Sequence, residues 1–89
     1  MGVILSKLEK MKARLLSEPK DYTFDELETL LKKLGYILNN AGKTSGSVVK
    51  FVNHKTNHAM SLHKPHPKPE LKPYLIKDII SKLEKEGLI

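Results

Sequence analysis

Eighty-nine residues make room for one domain and one core, and at this length only about two-thirds of the unfolded chain's surface can be buried. The absence of cysteine excludes disulfides, thiolate nucleophiles and cysteine-type zinc sites. The net charge is +6, and all of it falls between residues 43 and 77, where seven lysines stand against one acid, Glu70, and where all four histidines lie.

From the N-terminus, Ile4, Leu8, Met11 and Leu15 recur at i, i+4, i+7 and i+11, with Leu5 and Leu16 widening the stripe. That spacing predicts an amphipathic helix over about residues 3–17. Glu18-Pro19 stops it, because the residue before proline is pushed out of the α region. Thr23 then reads as an N-cap with Glu26 three residues on, a capping box, and Tyr22 can staple onto Leu27. Leu27, Leu30, Leu31 and Leu34 give the second helix its stripe, and Gly35 follows as a C′ residue able to take positive φ. Tyr36-Ile37-Leu38 reads as a short strand, and Asn39 to Gly46 as a turn running into a flexible polar loop.

Ser47 to Asn53 alternates with period two, Val49 and Phe51 pointing one way and Val48, Lys50 and Val52 the other. His54 to Asn57 makes a hairpin connection. The returning strand, His58 to His63, sets Met60 and Leu62 on one face and Ala59, Ser61 and His63 on the opposite one. A proline-rich bridge from Lys64 to Pro73, expected to supply no ladder hydrogen bonds, leads to the last helix. Leu75, Ile76, Ile79, Ile80 and Leu83 form its stripe and Gly87 ends it. Phe24, Phe51 and Tyr74 are read as core residues. The order α-α-β-β-β-α predicts an α+β fold, a three-stranded antiparallel sheet with helices packed on one face and a polar face left open.

Lys7, Glu9, Lys10, Lys12 and Arg14 interrupt the N-terminal apolar residues, and no apolar run approaches the ~20 residues of a membrane span. A soluble, cytoplasmic protein with no membrane partner is expected.

Cationic nitrogen, imidazole and hydroxyls grouped on a small sheet suit a phosphodiester, which points to RNA. Phosphate contacts are expected from Lys43, Lys50, Lys64, Lys68 and Lys72. Ser45 and Ser47 flank Gly46 in a loop whose N–H groups and hydroxyls can meet a phosphate. RNA cleavage needs a base near neutrality for the 2′-hydroxyl proton and cations for the pentavalent phosphorane. His63 shares the polar face with Lys50, and an imidazole, with its ordinary pKa near ~6.5, suits the first task. Lys50 or Lys64 suits the second. His66, held between Pro65 and Pro67, is the candidate general acid. The spacings His54-x3-His58 and His63-x2-His66, with no acid beside either pair, do not make a metal site, and no cofactor is expected.

The helix Leu27–Leu34 followed by Gly35-Tyr36, then Gly46-Ser47-Val48-Val49-Lys50-Phe51, Leu62-His63, Glu70-Leu71-Lys72-Pro73 and the ending Glu86-Gly87-Leu88-Ile89 carry a resemblance. In this order they resemble the HicA family of toxin–antitoxin systems, with residues 22–89 as the HicA-like core and the helix within residues 1–20 as an addition to it. The resemblance implies a double-stranded-RNA-binding-like fold and a metal-independent endoribonuclease, an mRNA interferase, held inactive by a HicB-type antitoxin. One position departs. The family's Gly-Ser-His stands here as Gly46-Ser47-Val48, and a valine cannot move a proton. Either another histidine carries the role, or the chain is a catalytically inactive RNA-binding or antitoxin-docking protein on the same fold. The apolar stripe of the added helix fits a homodimer contact as well as padding of the core.

Overall fold

The computed structural model describes residues 6–39, 48–65 and 67–89, in the order α1 (Lys7–Leu16), α2 (Phe24–Lys33), β1 (Tyr36–Asn39), β2 (Val48–Asn53), β3 (His58–His63) and α3 (Pro73–Lys85). The α+β architecture and the element order are those the sequence predicts. Ile4 and Leu5, from the predicted start of the first helix, lie outside the described residues.

Ser6 opens α1, its hydroxyl accepting a hydrogen bond from the Glu9 N–H at 3.1 Å. Leu8, Met11 and Leu15 face the core, with Leu15 fully buried, whereas Leu16, expected to widen the stripe, is 45% exposed. The reason is geometric: Leu16 sits about 100° around the helix from Leu15 and so beyond the buried edge. Glu18 then takes a φ of +52° ahead of Pro19, so the chain leaves the right-handed α region there.

The capping box forms as read. The Thr23 hydroxyl accepts from the Glu26 N–H at 3.2 Å, and the Glu26 carboxylate accepts from the Thr23 N–H at 3.4 Å. That same carboxylate takes both arms of the Arg14 guanidinium, through Nε and, at 3.2 Å, through Nη2. Arg14 also donates to Asp21 at 3.3 Å and lies 5.7 Å from the centre of the Tyr22 ring. One glutamate thus caps α2 and ties α1 to it, and the Arg14 hydrogen bonds hold its carboxyl below the usual value. Tyr22 itself is buried, and burial pushes its hydroxyl up to about 12.

The three strands form one antiparallel sheet in the order β1-β2-β3. Leu38 pairs with Phe51, Phe51 with Met60, and Val49 with Leu62, and these side chains point to the buried face. They join Leu27, Leu30 and Leu31 of α2 and Ile76, Ile79, Ile80 and Leu83 of α3 in a single core. Phe24 and Phe51, both in that core, meet with ring centres 6.1 Å apart.

Asn53 is the buried polar residue of this face, 1% exposed. Its amide donates to the Leu34 carbonyl at 3.2 Å, and its side-chain oxygen accepts from the Lys55 and Thr56 N–H groups at 3.0 and 3.3 Å. It therefore joins the end of α2 to the β2–β3 turn. Gly35 packs against it with a φ of +105°, where an added Cβ would stand 3.2 Å from the Asn53 amide nitrogen.

The proline-rich bridge departs from expectation. The Leu71 N–H donates to the Tyr22 carbonyl at 2.8 Å, the Phe24 N–H donates to the Pro69 carbonyl at 3.0 Å, and Thr23 and Glu70 form an antiparallel bridge. Proline forfeits only its donor, so Pro69 still accepts and Leu71 still donates. Lys72 then leads into α3 with Pro73 in its first turn, and Gly87, at a φ of +72°, follows its end. Tyr74 is a second correction: read as core, it is 70% exposed.

Candidate nucleic-acid interface

Register fixes what the open face of the sheet carries. Lys50 stands between Asn39 on β1 and Ser61 on β3, and His63, at the end of β3, stands directly opposite Val48. All five are exposed, as the strand alternation predicts. Directly opposed residues place their Cβ atoms about 4.5–5.5 Å apart, and diagonal ones about 7–8 Å. Lys50 and His63 are diagonal neighbours on this face, within joint reach of one phosphodiester. The face also carries apolar surface: Ile37 is 56% and Val48 44% exposed beside the half-buried Val52.

Lys64 follows His63, exposed at the strand end, with its ammonium 5.4 Å from the centre of the Phe24 ring. An ammonium at that distance gains from the ring quadrupole, which holds the cation near the edge of the sheet. Lys68 and Lys72 stand apart from the open face. They line a groove of about 540 Å³ with Pro65, Pro67, Glu70 and Tyr74. Chain order links the two regions, because β3 ends at His63 and Pro65, two residues on, already lines the groove. Lys43, Ser45, Ser47 and His66 lie outside the described residues.

His58 and His54 separate in role. His58 points to the buried side, its Nδ1 2.6 Å from the Tyr36 hydroxyl and its ring edge-on to the Tyr36 ring at 5.9 Å. This pair gives the Tyr36 phenol a polar partner inside the fold, and burial raises the pKa of that phenol. His54 is exposed in the β2–β3 turn. Among the described residues no three histidine, aspartate or glutamate side chains come together as a metal site, and no helix is long and apolar enough to cross a membrane.

Three helices on one face of a small antiparallel sheet, with lysine and histidine on the other, define a small basic α+β protein with an open cationic surface. The family model for the HicA toxin of bacterial toxin–antitoxin systems matches residues 24–86, from the first residue of α2 to just past the end of α3. The chain belongs to the HicA toxin family, a membership that brings an antitoxin as partner. The match leaves α1 outside it. No curated protein and no solved structure matches the chain.

Proposed function

We propose that this toxin acts on messenger RNA as an endoribonuclease, with His63 as the base that replaces the histidine missing at position 48. The observation that carries the proposal is the pairing of Val48 with His63 across β2 and β3. An imidazole at position 63 projects from the same face as the position where the family's motif has its imidazole, one strand spacing away. The proton-transfer group is shifted sideways by about 5 Å without leaving the face.

In the proposed reaction His63 takes the proton of a ribose 2′-hydroxyl, and the resulting oxygen attacks the adjacent phosphorus. Lys50, diagonal to His63, and Lys64, next in the chain, stabilise the added charge of the phosphorane. The bond to the 5′ oxygen breaks, that oxygen leaves with a proton, and a 2′,3′-cyclic phosphate remains. His66 is the residue we assign to deliver the leaving-group proton. Lys68 and Lys72, with Lys43, Ser45 and Ser47 from the residues before β2, hold the flanking phosphates and carry no sequence information themselves. The chain works in the cytoplasm, where its substrate is, and a HicB-type antitoxin covers the same basic face.

Expression of the lone chain in a bacterial host tests this, with growth and messenger-RNA integrity as readouts. Growth arrest with RNA loss, abolished by His63→Ala, is the expected result, and Val48→His in the His63→Ala background should restore part of it. A soluble, folded wild type that does no harm overturns the assignment. It would favour the second reading, which Val48 itself motivates: an RNA-binding or antitoxin-docking protein without chemistry.

A further inference from the structure

Of the five aromatic side chains, Tyr22, Phe24, Tyr36 and Phe51 are at most 3% exposed, and Tyr74 is 70% exposed. A lone exposed phenol is ordinary on a protein surface, so its surroundings decide what it means. Tyr74 lines the groove of about 540 Å³ together with Pro65, Pro67, Lys68 and Lys72. That volume falls within the roughly 300–1,000 Å³ typical of small-ligand sites. Three pyrrolidine rings, those of Pro65, Pro67 and Pro73, and a phenol supply flat apolar surface, and the two ammonium groups outweigh Glu70, the carboxylate that also lines it.

The groove is built before anything enters it. Prolines fix φ along the bridge, and the bonds from the Leu71 N–H to the Tyr22 carbonyl and from the Phe24 N–H to the Pro69 carbonyl pin the bridge to the start of α2. A preformed site loses little order on binding.

We propose that this groove binds one nucleotide of single-stranded RNA, its base stacked on Tyr74 and its phosphate held by Lys68 and Lys72. This rests on the RNA reading above and adds a base-binding subsite to it. A flat aromatic ring joined to an anion is the ligand that matches a phenol beside two ammonium groups. Duplex RNA keeps its bases stacked inside the helix and cannot offer one to Tyr74, so the subsite selects single strands. Stacking accepts any base face, and the selection is therefore for strandedness more than for sequence.

The test is fluorescence anisotropy of the full chain with a short 2′-O-methyl oligoribonucleotide, which binds as RNA does and cannot be cut by 2′-oxygen attack. Tyr74→Ala should weaken binding by about 5- to 150-fold, the worth of one stacked base, while Tyr74→Phe stays near wild type. The slope of affinity against salt should not change, because no phosphate contact is removed. An abasic oligonucleotide should lose the same factor on wild type and nothing further on Tyr74→Ala. Equal binding by wild type and Tyr74→Ala overturns the subsite and leaves the RNA reading standing, with the groove freed for a protein segment. If wild type binds no RNA even at low salt, both fall together.

Discussion

Asn53 is the polar residue on which the sheet's attachment to α2 turns, and Asn53→Ala is the substitution that measures it. The change removes three hydrogen bonds, one to the Leu34 carbonyl and two from the Lys55 and Thr56 N–H groups. At about 0.5–1.5 kcal/mol each, they sum to roughly 2–4 kcal/mol, with water able to recover part at the exposed turn. For a domain of this size each kcal/mol shifts Tm by about 4–8 °C, so a fall of roughly 8–30 °C is expected in a calorimetric or circular-dichroism melt.

Gly35→Ala should cost about 1–3 kcal/mol, from its φ of +105° and from a Cβ only 3.2 Å from the Asn53 amide. The two changes should not add. Removing the Asn53 side chain clears the contact and leaves only the backbone strain, so the double variant should be less destabilised than the sum by about 0.5 kcal/mol or more. A Tm fall of only a degree or two for Asn53→Ala, or strict additivity in the cycle, would show that the Asn53 side chain does not tie β2 to α2.

The Glu26 carboxyl is held below its ordinary 4.5, so its contribution is fully present above that pH and is lost as pH falls through the lowered value. Urea unfolding of wild type and Arg14→Gln should therefore differ at neutral pH and converge in acid; the difference should be modest, because the Glu26 side chain is 36% exposed. His58→Ala strands the buried Tyr36 hydroxyl and should cost about 1–3 kcal/mol, part of which Tyr36→Phe recovers in the double variant; a cost unchanged by Tyr36→Phe would show that the 2.6 Å contact contributes nothing. Alanine in place of Lys50, Lys64, Lys68 or Lys72 should weaken single-stranded RNA binding equally across sequences and reduce the log–log salt slope by about 0.7 each, measured by titration at several salt concentrations.

Much of the fold could be read from local rules. The Thr23–Glu26 capping box, the faces of β2 and β3 and the full span His58–His63 follow from spacing and parity alone, because each depends on residues close in the chain. Asn53 shares parity with Val49 and Phe51, which places it on the buried face. Its partners, however, come from α2 and the following turn, and only the folded chain brings those together. The bridge differs from expectation because proline lacks only the donor, so the Pro69 carbonyl still accepts and the Leu71 N–H still donates. Residue type puts Tyr74 in the core, whereas its position on the helix puts it outside. It lies two residues before Ile76, about 200° around the helix and so opposite the Ile76, Ile79, Ile80 and Leu83 stripe. Of the candidate site, Lys50 and His63 fell on one face as expected. Lys68 and Lys72 went instead to a groove that no spacing rule describes, since it is made by three separate prolines and a helix start.

The proposed chemistry rests on His63. Purified chain, free of antitoxin, is incubated with long unstructured RNA beside His63→Ala, and the products are resolved by length and end group. Cleavage by wild type to fragments with cyclic-phosphate ends, and intact RNA with a folded His63→Ala, is the predicted result. Intact RNA with a folded wild type, or equal cleavage by both proteins, would contradict it.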